Sequence, residues 1–247
     1  MKQFGIIGYP LLVSFSKPYF ENKFRELGLN DAKFDLFPID SAQKFIDVLK
    51  TNPSLRGLAV TIPHKEKVIP FLDEIDEGAE AIGAVNCIRI RNGKTKGFNT
   101  DAIGFENSLK PLLTAYHKHA LVLGNGGASK AVQFVLHKLN IAFKIVARSL
   151  ANGDILYSNL TPEMMHEHLL IINTTPLGMS PNEEGFPEIP YEFITKQHLL
   201  YDLIYKPAET LFLTKGKMRG ATIKNGLEML HLQAEENWKI WNAQDER

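Results

Sequence analysis

Residues 119–131 read "HALVLGNGGASKA", an apolar run that ends in glycines and gives way to residues suited to a helix. The helical pattern continues through "VQFVLHKLN", and a second apolar run, "AFKIVARS" (142–149), follows it. Strand, glycine turn, helix and strand in that order make a βαβ unit, which joins parallel strands. Gly124 and Gly126 stand at the turn. The first glycine permits the tight bend, the second lets a pyrophosphate approach the backbone, and the helix N-terminus offers N–H groups with no partner inside the helix. Ser129 occupies the third position of the dinucleotide fingerprint in place of Gly or Ala, so the string alone is weak. Its place inside a βαβ unit is what gives it weight. A glycine-rich turn without a ligand is the plainer alternative.

The end of the second strand bears on which nucleotide would bind. An NAD site carries an acidic residue about 20 residues past the glycines, bonded to the ribose 2′-hydroxyl. Here Arg148 and Ser149 stand there, with no carboxylate before Asp154. A guanidinium and a hydroxyl suit a 2′-phosphate, which a carboxylate would repel. The expected cofactor is NADP.

The same alternation extends towards both termini. "QFGIIGYP", "FDLFPI" and "LRGLAVTI" read as strands, separated by helices over "PYFENKFRELGL" and "SAQKFIDVLKTN". Ahead of the glycine turn, "CIRIRNGKTKGF" is a hairpin with an Asn-Gly turn. Beyond it, "HLLIINTT" and "HLLYDLIY" are two further short strands, and "NGLEMLHLQAEENWKIW" is an amphipathic C-terminal helix. The expected fold is α/β. An N-terminal α/β substrate domain (1–103, completed by a C-terminal helix over 226–247) precedes a Rossmann-type, doubly wound nucleotide-binding domain (104–225), with a cleft between them.

Composition narrows the function. Lys plus Arg equals Asp plus Glu at 28 each, so the chain has no electrostatic footprint for nucleic acid or an anionic membrane. No apolar run approaches the roughly 20 residues of a membrane span. The lone cysteine, Cys87, excludes an internal disulfide and fits a reducing cytoplasm. The start of the chain, interrupted by Gly5, Gly8 and Pro10, reads as a strand and a loop and not as a signal peptide.

In "AVTIPHKEKVIPFL" (59–72), Pro63 suits the first turn of a helix, which would place Lys65 at the positive end of its dipole. That is a poor place for an ammonium and a good one for an amine that exchanges protons. On composition alone, a lysine in a "KEK" run is a surface charge. The same half of the chain carries Asn86 in "GAVN", the trio Asn99, Thr100 and Asp101 ahead of a helical run, and Ser14 and Ser16 in "VSFSKP". Ser16 suits a helix cap beside Pro18, whereas capping does not require Ser14; in an extended loop both hydroxyls face one way. Hydroxyls, an amide, a carboxylate and a lysine suit a small polyhydroxylated acid.

Taken together, "VSFSKP", "VTIPHK", "GAVN", "NTD", "GNGGASKA", "INTTPLGM", "YDLIYKP" and "NGLEMLHLQ" resemble the shikimate dehydrogenase family, in the family's order and over residues 5–233. The resemblance implies reversible NADPH-dependent reduction of 3-dehydroshikimate to shikimate, in the biosynthesis of chorismate and the aromatic amino acids. It implies that Lys65 exchanges a proton with the reacting oxygen and that Asp101 is its partner. Ser14 and Ser16, assisted by Tyr205, would bind the substrate carboxylate, and Thr61, Asn86 and Gln233 the ring hydroxyls. Gly124, Gly126, Gly127, Ala128, Arg148 and Ser149 would line the cofactor, with Thr174, Leu177, Met179 and Gly226 near the nicotinamide.

The chain departs from the family pattern at Ala147, where asparagine is usual, at Cys87 and Val13, where threonine and histidine are common, and in a short stretch over 149–169. That stretch has room for one short strand and one short helix, which bears on the adenosine pocket. A quinate or quinate/shikimate dehydrogenase using NAD is the nearest rival, and a non-catalytic sensor of the same ligands is another. No metal is expected: His117 with His119, and His166 with His168, read as solvated histidines, and His64 as local packing or a backbone hydrogen bond. Trp238 and Trp241 read as packing within the monomer or a homodimer contact.

Overall fold

The computed structural model describes residues 1–12 and 14–243; Val13 and the last four residues of the span 226–247 lie outside it. The chain divides into two compact units, Met1–Thr100 with the chain from Ala234 onward, and Asp101–Gln233.

In the first unit, β1 (Lys2–Gly8), β2 (Ala32–Pro38), β3 (Leu55–Val60), β4 (Glu74–Ile75), β5 (Cys87–Arg91) and β6 (Lys94–Phe98) form one sheet in the order β2-β1-β3-β5-β6-β4. The helices α1 (Ser16–Glu26) and α2 (Phe45–Thr51) return the chain so that β1, β2 and β3 run parallel. The rest of the sheet is mixed. Asn92 and Gly93, at φ 49° and 78°, form the tight reversal that sets β6 antiparallel to β5. A short helix, α3 (Glu77–Ile82), precedes β5.

Apolar side chains fill both faces of this sheet. Ile7, Phe45, Leu58, Val60 and Ile88 belong to one cluster, and Phe4, Phe20, Phe24 and Phe34 to the other. The second cluster is closed by Trp238 and Trp241 of the C-terminal helix. Trp241 lies 5.0 Å from Phe20 and 5.2 Å from Phe4 between ring centroids, and its Nε1–H donates to the Ile88 carbonyl at 3.1 Å. Both indoles therefore serve the interior of their own chain.

In the second unit, α4 (Thr100–Leu109) leads into six parallel strands: β7 (His119–Leu123), β8 (Ala142–Ala147), β9 (Ile155–Leu156), β10 (Leu170–Asn173), β11 (Leu199–Asp202) and β12 (Thr222–Lys224). Their order is β12-β11-β10-β7-β8-β9. The chain steps outward from β7 to β9, then returns to the other side of β7. The reversal between β7 and β10 is the switch point at which such sheets hold ligands. The helices are α5 (Gly127–Lys138), α6 (Pro162–Glu167), α7 (Leu211–Met218) and α8 (Leu227–Asn242), the last continuing into the first unit. The stretch 149–169 contains β9, α6 and two single turns of 3-10 helix at Leu150–Asn152 and Tyr157–Asn159.

The histidines correct the expectation of solvated rings: His117 and His168 are buried, as is His198. His117 and His198 close matching Thr-x-x-His turns ahead of β7 and β11. Nδ1 accepts the N–H of Thr114 or Thr195 at 3.0 Å, so the proton sits on Nε2, which donates to the Gln197 or Met165 carbonyl. The neutral ring satisfies both sites, whereas a second proton would face an N–H. Burial accordingly holds His117, His168 and His198 below the usual imidazole range. Their folded values lie below the unfolded one, so this stabilisation is complete above about pH 6.5 and is lost as pH falls from there. The urea midpoint is expected to drop between about pH 7.5 and about pH 5.5, and to drop less in a His198→Asn variant. Equal slopes would remove His198 from this account.

Candidate active site

The exits of β1 and β3 are fastened together. The Thr61 N–H donates to the Ile7 carbonyl and the Tyr9 N–H to the Ile62 carbonyl, both at 3.0 Å. The chain then departs from expectation, because residues 63–68 form turns and not a helix. A helix would need the Lys65 carbonyl to accept from Ile69. It accepts instead from Val85 N–H at 2.8 Å, and the Ile69 N–H goes to Glu66 at 3.3 Å. Lys65 therefore has no helix dipole beneath it, and the dipole argument for its role falls. Its backbone is pinned next to Asn86, and its side chain is half-buried while Glu66 and Lys67 are exposed. His64 is buried, and its Nε2–H donates to the Ile39 carbonyl at 2.6 Å, a backbone hydrogen bond to a distant residue.

Asn86 sits in a buried relay. Its Oδ1 accepts the Thr100 N–H at 2.6 Å, its Nδ2 donates to Thr100 Oγ1 at 3.0 Å, and that hydroxyl donates to Asn237 Oδ1 at 2.7 Å. Only one amide hydrogen is used in the relay, and the other is the donor Asn86 has left to offer a ligand.

The two serines also correct the sequence reading. The loop is not extended there: Phe15 is in the right-handed helical region and Ser16 begins α1, buried. Ser14 does the capping, its Oγ accepting the Ser16 N–H at 3.1 Å, which leaves its own O–H to donate.

In the second unit, Asp101 lies buried on the first turn of α4. One turn on, a Cβ at Gly104 would stand 2.6 Å from the Met229 carbonyl and 3.2 Å from Gln233 Cβ, so α4 and α8 meet backbone to backbone. That crossing brings buried Gln233 beside the turn that carries Asp101. Tyr205, partly exposed after β11, has its phenol pushed up by burial and stays protonated.

The residues expected to line a dinucleotide all follow strands at one sheet edge. Gly124 has φ +96°, and a Cβ there would crowd Thr174 and Thr175. Gly126 is exposed, and a Cβ on it would meet no atom within 4 Å; Gly127 and Ala128 open α5 behind it. Ser129 earns the third fingerprint position by donating its hydroxyl to the Gly124 carbonyl at 3.0 Å.

At the end of β8, Arg148 is exposed, and Ser149 Oγ accepts the Ala151 N–H at 3.2 Å while keeping its own hydrogen. Asp154 accepts the Ile145 N–H at 2.7 Å, so the nearest carboxylate is engaged with the strand. Thr174 Oγ1 donates to the Leu123 carbonyl at 2.7 Å, Leu177 and Met179 are partly exposed, and the Gly226 N–H donates to the Ile204 carbonyl at 3.0 Å. This edge fits a dinucleotide: an open glycine, a helix N-terminus and a cation beside a hydroxyl. Among the described residues, no group of three or more His, Cys, Asp or Glu is placed to hold a metal, and no helix is long and apolar enough to cross a membrane.

Sequence reasoning passed over Asp202, the fully buried residue that closes β11. A charged residue at the end of the apolar run "HLLYD" was the available signal.

Residues 6–88 match the family model described as the shikimate dehydrogenase substrate binding domain. A protein named shikimate dehydrogenase (NADP(+)) from Methanosphaera stadtmanae is 39% identical over 97% of this chain and 90% of its own length. The crystal structure of shikimate dehydrogenase from Aquifex aeolicus is similar at a TM-score of 0.84 and 35% identity, over 100% of this chain and 94% of that one. Shikimate 5-dehydrogenase from Thermus thermophilus, solved with NADP(H) and shikimate, gives 0.87 at 28% identity, over 99% of this chain and 94% of that one.

The open space at Gly126 yields a test. Gly126→Ala is expected to leave the melting temperature unchanged and weaken NADPH binding about tenfold, because the methyl group occupies the approach to the backbone. Unchanged affinity by fluorescence titration would show that no ligand comes close there.

Proposed function

The chain belongs to the shikimate dehydrogenase family, and we propose that it catalyses the reversible NADPH-dependent reduction of 3-dehydroshikimate to shikimate. The observation that carries this reading is the 39% identity, over 97% of the chain, to a relative named shikimate dehydrogenase (NADP(+)). The half-buried Lys65, the buried Asn86 and the glycine turn at the sheet switch point are consistent with it.

In this reading Ser14 and Ser16, with Tyr205, hold the substrate carboxylate, and Thr61, Asn86 and Gln233 hold the ring hydroxyls. When bound, NADPH supplies the hydride. Gly124, Gly126, Gly127 and Ala128 take its pyrophosphate, Arg148 and Ser149 its 2′-phosphate, and Thr174, Leu177, Met179 and Gly226 flank the nicotinamide. Lys65 gives a proton to the carbonyl oxygen as it gains charge, Asp101 holds the amine and the substrate hydroxyl in line, and the amine regains its proton from solvent between turnovers. The half-buried setting of Lys65 strengthens such a transfer relative to open water. The reaction belongs to chorismate formation and is placed in the cytoplasm, with the protein a monomer or homodimer.

The test is turnover by purified protein with shikimate or quinate, each with NADP⁺ or NAD⁺. Rapid reduction of NADP⁺ by shikimate alone is expected. An Arg148→Ala variant should lose about tenfold or more of its preference for NADP⁺ over NAD⁺. Equal use of quinate or NAD⁺ would favour the quinate/shikimate reading, and shikimate binding without turnover would favour a sensor.

A further inference from the structure

Asp202 is fully buried at the end of β11, and three donors converge on it. Its Oδ1 accepts from Asn173 Nδ2 and from the Ile204 N–H, each at 3.0 Å, and its Oδ2 accepts from Thr210 Oγ1 at 2.6 Å. Each contact leads outward. Asn173 Oδ1 in turn accepts from the Thr175 N–H at 3.0 Å and hydroxyl at 2.7 Å, setting the loop that carries Thr174 and Leu177. Ile204 fixes the start of the loop to Tyr205, and its carbonyl accepts the Gly226 N–H at 3.0 Å. Thr210 caps α7, its Oγ1 accepting the Leu213 N–H. One carboxylate thus ties together the loops after β10, β11 and β12.

We propose that Asp202 is a positioning residue that sets the nicotinamide side of the cofactor site through these three loops. The inference rests on the dinucleotide reading of that edge. A carboxylate is the only side chain of this size that accepts all three bonds without donating. An apolar residue would orphan Asn173, Ile204 and Thr210, and an asparagine would turn an N–H towards a hydroxyl that already donates.

Burial pushes the Asp202 carboxyl up to about 6, against the lowering effect of its three donors. The other ionisable group with an electrostatic link to it is the Tyr191 phenol, on the 3-10 turn Tyr191–Phe193. That phenol is held well above the usual tyrosine value, chiefly by burial, and stays neutral through this range. Thr210, Asn173 and Ile204 do not titrate. As pH falls through about 6 the carboxyl gains a proton that must displace one of the three donors, and the loops lose a tie. The stability sign is the reverse: a raised carboxyl favours the folded state most below its unfolded value and loses that contribution as pH rises through about 6.

The experiment is NADPH binding by full-length wild type and Asp202→Asn from pH 8 to pH 5, with melting temperature recorded throughout. The ratio of the two dissociation constants cancels titration of the nucleotide's own phosphate. Expected is a variant that melts no lower than wild type at pH 8, binds NADPH about tenfold more weakly there, and approaches wild-type affinity at pH 5. If Asp202→Asn does not fold, Thr175→Val, which removes the hydroxyl's bonds to Asn173 Oδ1 and from the Leu177 N–H but leaves the three bonds to Asp202, should weaken NADPH binding about threefold at pH 8. A ratio near one at every pH, or Thr175→Val binding as tightly as wild type, would overturn the proposal. Wild type that binds no NADPH at any pH would overturn the dinucleotide reading itself.

Discussion

The buried relay from Asn86 through Thr100 to Asn237 is the constraint on which the rest of the substrate unit depends. It joins β5 to the first residue of α4 and to α8, the two helices in which the chain passes from one unit to the other. Each member is almost fully buried, so losing one partner would leave a polar group unpaired at a cost of about 1–3 kcal/mol. The neighbour of Asn86 anchors the proposed acid: the Val85 N–H donates to the Lys65 carbonyl, and the Asn86 carbonyl accepts from Val60 at the end of β3. Hydrogen bonding within one small region thus fixes a strand end, the turn that carries Lys65 and a helix start.

The second unit solves a parallel problem with a charge. Its strands β10 and β11 are buried along their whole length, so the polar groups that shape this edge stand at the strand ends and in the loops that follow. The loop after β7 is held by Ser129 and Thr174 bonding backbone carbonyls around Gly124. The loops on the other side of the switch point share Asp202. Burying a carboxylate costs stability near neutral pH, and three donors are what make the cost tolerable. Buried cost beside a ligand edge is the pattern expected where geometry is kept for function.

Much of this was legible because it is local. The glycine turn, the Asn-Gly hairpin, the alternation of strands and helices and the short span 149–169 all depend on residues close in sequence. The misreadings came from distant partners. Pro63 suggests a helix because nothing nearby shows that Val85 claims the Lys65 carbonyl. Ser16 looked like a cap because the competing hydroxyl of Ser14 bonds only once the chain has turned at Phe15. His117 reads as a solvated histidine, yet it fills a turn whose Nε2 partner, the Gln197 carbonyl, lies far along the chain. Asp202 escaped notice because its donors come from three separate loops.

The mechanism turns on proton transfer by Lys65. The most direct test is steady-state reduction of 3-dehydroshikimate by the Lys65→Ala variant. The expected result is a kcat lower by about 10²- to 10⁴-fold with KM little changed, since the amine acts on charge that develops in the transition state. A kcat near that of the wild type, or a loss confined to KM, would contradict it and make Lys65 a binding residue.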